Sequence, residues 1–247
     1  MTLRTGAQLN TREAIAELST AQKSAKGAPA YSRYVNRRLG RYLAAAAYTA
    51  RMTPNQVTAV SAVCTFSAIG LLVALRPSLA SSAAVCLLLV LGYALDSADG
   101  QLARLTGTGS MAGEWLDHTV DAFKVGSIHL AVLVCWWRFY DLDAVWLLVP
   151  LLFQVLATVH FFSTLLMDQL RRSRRADRGT LMAGDGSSSF LYSVAVLPTD
   201  FGVICLVTLL LWAPWAFTGA YVLLFAATAG FLVLALGKWY REVKTWS

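Results

Sequence analysis

Long uncharged stretches dominate the hydropathy pattern of this chain. They occupy residues 52–75, 77–95, 144–167 and 201–237. A helix needs about 20 apolar residues to cross the ~30 Å hydrocarbon core of a bilayer, and soluble helices have no need of such runs. The pattern therefore predicts an all-α polytopic membrane protein whose six transmembrane helices cover about residues 55–75, 79–103, 113–137, 144–168, 187–212 and 215–238.

A basic amphipathic segment precedes the first predicted span. Apolar residues recur at helical spacing from Tyr31 to Ala46, and four arginines fall largely between them. This predicts a helix within residues 31–52 that lies in the membrane interface with its arginines facing anionic headgroups; a solvated basic helix is the alternative. Residues 1–30 form a polar segment with a short predicted helix at 11–21, and we expect no cleaved signal peptide because they lack an apolar core.

Composition supports the membrane class. The chain is 57% hydrophobic and 14% charged, whereas soluble domains average about 25% charged residues. These values exclude a soluble enzyme, a disordered chain and a disulfide scaffold. The net charge of +7 comes without any nucleic-acid-binding motif, so we expect no nucleic-acid partner.

The distribution of basic residues predicts the orientation in the membrane. Eighteen of the 21 Lys and Arg residues fall on one side of the predicted bundle, and only Arg76 and Arg138 fall on the other. By the positive-inside rule, both termini, including the tail 241–247, lie in the cytoplasm of a multi-pass plasma-membrane protein. Tryptophans cluster near the opposite ends of the spans, as an aromatic belt does, at positions 136, 137, 146, 212 and 215.

Four aspartates interrupt the apolar pattern where the second and third spans meet. Asp96 and Asp99 are three positions apart and Asp117 and Asp121 are four apart, so each pair shares one face of its helix. Because one Asp at a helix centre costs roughly 2.5–3.5 kcal/mol in a bilayer, four lipid-facing carboxylates would cost about 10–14 kcal/mol. We therefore expect the four carboxylates to converge near the cytoplasmic boundary.

Converging carboxylates need cations, and oxygen ligands favour hard divalent ions such as Mg²⁺ or Mn²⁺. Two such ions balance four negative charges, and a pair about 3.5–4 Å apart stabilises displacement at phosphorus. Gly100, Ala103 and Gly113 leave the surrounding surface open, and Arg104 offers a guanidinium fork suited to phosphate. The segment thus predicts a metal-bound phosphate site at the membrane edge.

The string D-x2-D-G-x2-A-R-x8-G-x3-D-x3-D, complete from Asp96 to Asp121, resembles the signature of the CDP-alcohol phosphotransferase family. The likeness extends over about residues 31–240 and assigns residues 53–240 to a six-helix membrane domain of that family. It implies that a CDP-linked donor, either CDP-diacylglycerol or a small CDP-alcohol, gives its phospho-alcohol to a hydroxyl acceptor and releases CMP, in phospholipid or related biosynthesis. A homodimer surrounded by membrane lipids is also implied.

The resemblance further implies residue roles. Asp96, Asp99, Asp117 and Asp121 become ligands of two divalent cations, Mg²⁺ or Mn²⁺. The donor then lies against residues of the first three spans, namely Asn55, Thr58, Gly100, Ala103, Arg104 and Gly113.

Two residues compete for the role of general base. The resemblance gives it to Asp121, which we prefer at this point. His118 is the alternative because the segment Gly113–His118 is similar to the choline and ethanolamine phosphotransferase branch, and histidine titrates nearer neutrality than a carboxyl group. Lys124 lies on the same helix face as Asp117 and Asp121, where it either binds an acceptor phosphate or offsets the negative charge.

Intramembrane carboxylates alone also permit a divalent-cation transporter. However, the four aspartates lie at one end of the spans, and only Asp200 continues a polar path through the predicted bundle. A transporter has no need of the Asp-Gly-x-x-Ala-Arg segment. The enzyme is therefore favoured, and the arginines at 171–178 become a topology signal that could also bind an acceptor phosphate.

Overall fold

The computed structural model describes residues 9–20, 28–177 and 190–246, and its regular elements in these ranges are helical, which confirms the all-α class. A π-helical turn, Ser32–Asn36, leads into α2, and a 3-10 turn, Ala144–Leu147, leads into α6. The α-helices are α1 (Thr11–Thr20), α2 (Arg37–Thr49), α3 (Pro54–Ala74), α4 (Leu79–Thr106), α5 (Met111–Phe139), α6 (Leu148–Asp177), α7 (Phe190–Ala195), α8 (Phe201–Val207) and α9 (Pro214–Lys244).

Five of the predicted spans are confirmed as helices long and apolar enough to cross a membrane. They are α3, α4, α5, the helix from Ala144 into α6, and α9. The predicted fifth span is not one continuous helix, because its described residues form α7 and α8 with 3-10 turns at Leu197–Thr199 and Thr208–Leu210. A sixth continuous span is therefore not confirmed.

Asp200 explains the break between α7 and α8. Pro198 cannot donate a backbone hydrogen bond, and Asp200 begins a new helix by accepting from the Gly202 N–H at 2.9 Å. The same carboxylate accepts from the Ser32 N–H at 2.7 Å and from the Tyr93 hydroxyl at 3.1 Å. Asp200 thus caps α8 and fastens the start of the interfacial segment to α4, a structural role within the bundle.

The two N-terminal helices pack on the end of α4 that carries the first two aspartates. Asn10 and Glu13 cap the start of α1 reciprocally, each side chain accepting from the other residue's N–H at 2.9 and 2.8 Å. Leu18 of α1 is fully buried in a cluster that includes Ala44 of α2 and Leu102 of α4. The helix predicted at 11–21 is confirmed as far as Thr20.

The segment predicted as a helix over 31–52 is helical from Ser32 to Thr49, and its buried and exposed faces differ in side-chain size. Small residues, including Gly40 and Ala44, are buried against the bundle, while Val35, Leu39 and Tyr42 are exposed. The interfacial placement of this helix stays a prediction from the sequence.

Close packing of α3 against α4 and a short loop after α4 bring the three site helices together. The Ser61 hydroxyl donates to the Gly92 carbonyl oxygen at 2.8 Å, and a side chain at Gly92 would collide with Thr65. Gly107 ends α4 with φ 67°, a left-handed conformation that favours glycine. Ser110 then caps α5 by accepting from its backbone, so the C-terminal end of α4 and the N-terminal end of α5 are adjacent.

An aromatic core fills the other half of the bundle. Trp136, Phe217 and Tyr221 are fully buried there, and His129 Nδ1 lies 2.7 Å from the Tyr221 hydroxyl. His129 also stacks on Phe153 with ring centroids 4.0 Å apart. This histidine is therefore a hydrogen-bonded residue of the aromatic core, and its contacts are with Tyr221 and Phe153.

Candidate active site

Asp99 is the most buried of the four aspartates. It is 6% exposed, and its two oxygens accept from the Thr58 hydroxyl and from the Gly100 N–H, each at 2.5 Å. Thr58 is 4% exposed, and its hydroxyl oxygen also lies 3.1 Å from the Pro54 carbonyl oxygen. The first turns of α3 therefore orient a carboxylate of α4, which explains why a threonine stands four residues after Pro54.

Asp96 and Asp121 are joined across the helix interface by Lys124. The lysine Nζ lies 2.6 Å from Asp96 Oδ1 and 2.8 Å from Asp121 Oδ1. Its side chain is only 3% exposed, whereas those of Asp96 and Asp121 are 17% and 30% exposed. Lys124 thus lies on the carboxylate face as predicted, and its contacts are with acidic groups of the cluster.

Asp117 completes the acidic cluster and lies one turn before Asp121 on α5. One ligand atom from each of Asp117, His118 and Asp121 falls within 4.8 Å of the others, a spacing that can hold a metal ion. Carboxylate oxygens in such proximity fit Mg²⁺ or Mn²⁺. This set contains two of the four predicted metal ligands together with His118. Lys124 links Asp96 to Asp121, and Asp99 is one turn from Asp96, so the four aspartates lie on the adjoining parts of α4 and α5.

The residues predicted to contact the donor surround this cluster. A Cβ at Gly113 would lie 3.3 Å from Asn55 Oδ1, so the start of α5 passes directly beside the start of α3. A Cβ at Gly100 would lie 3.5 Å from a guanidinium nitrogen of Arg104, which places that guanidinium over the glycine. Ala103, the residue before Arg104 on α4, is partly buried.

Sequence reasoning did not identify Arg37 as a neighbour of Arg104. The two guanidiniums interact electrostatically, and Arg104 also interacts with Asp99. Gln101 fixes this approach by donating to the Arg37 carbonyl oxygen at 3.1 Å. Burial lowers the pKa of Arg37 from its ordinary value, yet a guanidinium stays charged at neutral pH. Helical spacing alone could not have indicated the contact, because it depends on how α2 crosses α4.

His118 lies on a different side of α5 from Lys124. Its Nε2 is 3.7 Å from Glu114 Oε1, and Glu114 also forms an ion pair with Arg172 of α6. Neither Glu114 nor its pairing with Arg172 was anticipated from the sequence, although Arg172 belongs to the predicted basic group. Arg178 of that group lies outside the described residues.

A large pocket among α3, α5 and α6 is bordered by Glu114, His118 and Arg172. Its volume is about 960 Å³, and most of its lining is apolar. The lining includes Phe66, Trp115, Phe123, Phe161 and Leu165. An apolar space of this size beside Glu114, His118 and Arg172 suits a ligand that combines a hydrocarbon part with a charged part.

Fold and site together define an all-α integral membrane protein with a carboxylate centre at one end of its bundle. The CDP-alcohol phosphatidyltransferase family matches residues 51–234. The chain belongs to this family, as the aspartate string indicated. A phosphatidylinositol phosphate synthase from Corynebacterium glutamicum is 36% identical over 94 residues, which are 38% of this chain. The match covers 40% of the length of that relative.

Proposed function

We propose that this protein is a membrane-embedded transferase that moves a phosphatidyl group from CDP-diacylglycerol to a hydroxyl acceptor and releases CMP. The observation that carries the proposal is the proximity of the family-signature aspartates: Lys124 contacts both Asp96 and Asp121, and a ligand atom of Asp117 lies within 4.8 Å of one of Asp121. Asp99 is one turn from Asp96 on α4. Family membership favours this reaction over the cation transporter that carboxylates alone permit.

Asp96, Asp99, Asp117 and Asp121 are proposed to hold two divalent cations, Mg²⁺ or Mn²⁺. When bound, these ions supply the positive charge that clamps phosphate oxygens and stabilises the charge that develops at phosphorus. The chain's own contribution is to hold the ligands in place: Thr58 and the Gly100 N–H fix Asp99, and Lys124 joins Asp96 to Asp121. Arg104 is proposed to bind the donor diphosphate next to Asp99.

The apolar pocket supports a lipid-linked donor. The pocket of about 960 Å³ is bordered by Glu114, His118 and Arg172, so hydrocarbon chains in it would leave a headgroup near these three side chains. The relative named as a phosphatidylinositol phosphate synthase makes an inositol phosphate the first acceptor to test. The arginines of α6 are proposed to face such an anionic acceptor at the cytoplasmic boundary.

His118 is proposed as the general base. Lys124 lies 2.8 Å from one oxygen of Asp121, and this carboxylate would also help to hold a cation, so it would have little capacity left to accept a proton. His118, by contrast, borders the pocket and has a carboxylate, Glu114, within 3.7 Å of Nε2. It would take the proton of the acceptor hydroxyl as the bond to phosphorus forms and CMP leaves.

Sidedness and assembly remain predictions from the sequence. Both termini and the aspartate cluster are proposed to face the cytoplasm, because the basic residues concentrate at that end. A homodimer is expected from the family resemblance.

A CMP-release screen of the purified protein tests the proposal. CDP-diacylglycerol, CDP-choline, CDP-ethanolamine, CDP-glycerol and CDP-inositol are each paired with inositol phosphate, glycerol phosphate, serine and diacylglycerol in the presence of Mn²⁺. CMP released from CDP-diacylglycerol with a polar acceptor supports phosphatidyl transfer. Release only from a small CDP-alcohol with diacylglycerol would instead assign the chain to the other branch, which the Glu-Trp-Leu-Asp-His segment resembles.

A further inference from the structure

Lys124 is a buried cation at the inner edge of the aspartate cluster. Asp96 is the first acidic position of the pair on α4 and Asp121 is the second of the pair on α5, so both lie farther from the α4–α5 loop than their partners. The lysine Nζ contacts one oxygen of each, at 2.6 and 2.8 Å, with its side chain 3% exposed. An ammonium is a compact point charge, comparable in its contacts to a small cation.

We propose that Lys124 is a built-in counter-cation that weakens the binding of divalent ions to the four aspartates. This inference rests on the proposed function, in which those aspartates are the metal ligands. Because each contacted carboxylate already has a charged donor on one oxygen, an ion that binds at this end competes with the ammonium for negative charge.

The charges of the cluster give the proposal its direction. Four carboxylates carry −4, and Lys124 reduces this to −3. Two divalent ions bring the whole to +1, where the aspartates alone would reach zero. Like charges a few ångströms apart repel strongly away from bulk water, so the lysine disfavours the loaded cluster. The same excess positive charge favours an anionic diphosphate, so weaker metal binding accompanies stronger attraction for the donor.

A purely structural role predicts the opposite change in metal affinity. If the lysine only held Asp96 and Asp121 at a suitable separation, its removal would let the two helices part and would weaken metal binding. Metal affinity therefore separates the two roles without any measurement of catalysis.

The test measures Mn²⁺ binding to the full chain in detergent, with free Mn²⁺ read from its electron paramagnetic resonance signal. Lys124→Met removes the ammonium and keeps the chain length, whereas Lys124→Arg keeps the charge. Lys238→Met, at an exposed position of α9, is the matched control. We expect Lys124→Met to lower the Kd for Mn²⁺ at least about tenfold, which is about 1.4 kcal/mol. Lys124→Arg and Lys238→Met should stay within about twofold of the unmodified protein.

An unchanged or higher Kd in Lys124→Met overturns the proposal and leaves the lysine as a clamp. If that variant folds only with metal, it is purified with Mn²⁺ and its Kd is obtained by competition with a chelator, and the same criterion applies. Asp117→Asn separates this failure from failure of the proposed metal centre. Equal Mn²⁺ binding by Asp117→Asn and the unmodified protein would contradict the aspartate centre itself, and the role of Lys124 with it.

Discussion

Thr58→Val is the perturbation that most sharply tests how the helices position the aspartates. The Thr58 hydroxyl donates to Asp99 Oδ2 at 2.5 Å, and both side chains are nearly inaccessible, at 4% and 6% exposure. Valine keeps the shape of threonine and removes the donor. A hydrogen bond to a charged group contributes about 1.5–3 kcal/mol. We therefore expect the rate of CMP release to fall about 10- to 150-fold, since each factor of ten corresponds to about 1.4 kcal/mol.

The matched control lies on the same helix. Thr65 is also fully buried, and its hydroxyl has no hydrogen-bond partner among the residues that the structure describes. Thr65→Val should therefore leave CMP release nearly unchanged, and Thr58→Ser, which keeps a hydroxyl, should recover most of the lost rate. The assay is acceptor-dependent CMP release at fixed Mn²⁺, with melting temperature measured in parallel. Equal rates for Thr58→Val and Thr65→Val would refute the idea that α3 orients Asp99.

Three further changes test other parts of the account. His118→Gln should reduce the rate about 10²- to 10⁴-fold, the usual range for a lost general base. A rate like that of the unmodified protein would return the role to Asp121. Gly92→Ala should lower the melting temperature, because the added methyl group collides with Thr65. Gly219→Ala, whose methyl group meets no atom within 4 Å, is the control, and equal melting temperatures of the two variants would contradict the packing described. Asp200→Asn should destabilise the protein, because an amide group replaces an oxygen that accepts from Ser32, Tyr93 or Gly202. Thermal unfolding is monitored by circular dichroism, and an unchanged melting temperature would show that the cap is unimportant.

The apolar runs were sufficient to predict most of the fold because the bilayer imposes a simple requirement. A helix must be long and continuously apolar, and five of the six predicted spans meet that condition. The predicted fifth span is not confirmed as one continuous helix, because composition does not show where a helix is capped. Pro198 and Asp200 lie within an apolar stretch, and only the three-dimensional partners of Asp200 show that a helix begins there.

The proximity of the four aspartates was predictable from their spacing, whereas the side chains around them were not. Four carboxylates in a membrane span are costly, so their spacing alone indicates a shared centre. The approach of Arg37 to α4 and the pairing of Glu114 with Arg172 depend on how helices cross, which residue spacing within one helix cannot specify. Lys124 falls between these cases: its helix face was predictable, but its choice of two carboxylates over solvent was not.

Metal-dependent release of CMP tests the central claim most directly. Purified protein is supplied with CDP-diacylglycerol and a polar acceptor, and CMP is quantified with and without Mn²⁺. The account predicts release only when metal and acceptor are both present, and loss of that release in Asp117→Ala and in Asp121→Ala. Full CMP release by both alanine variants would contradict the assignment of the aspartate cluster as the catalytic centre.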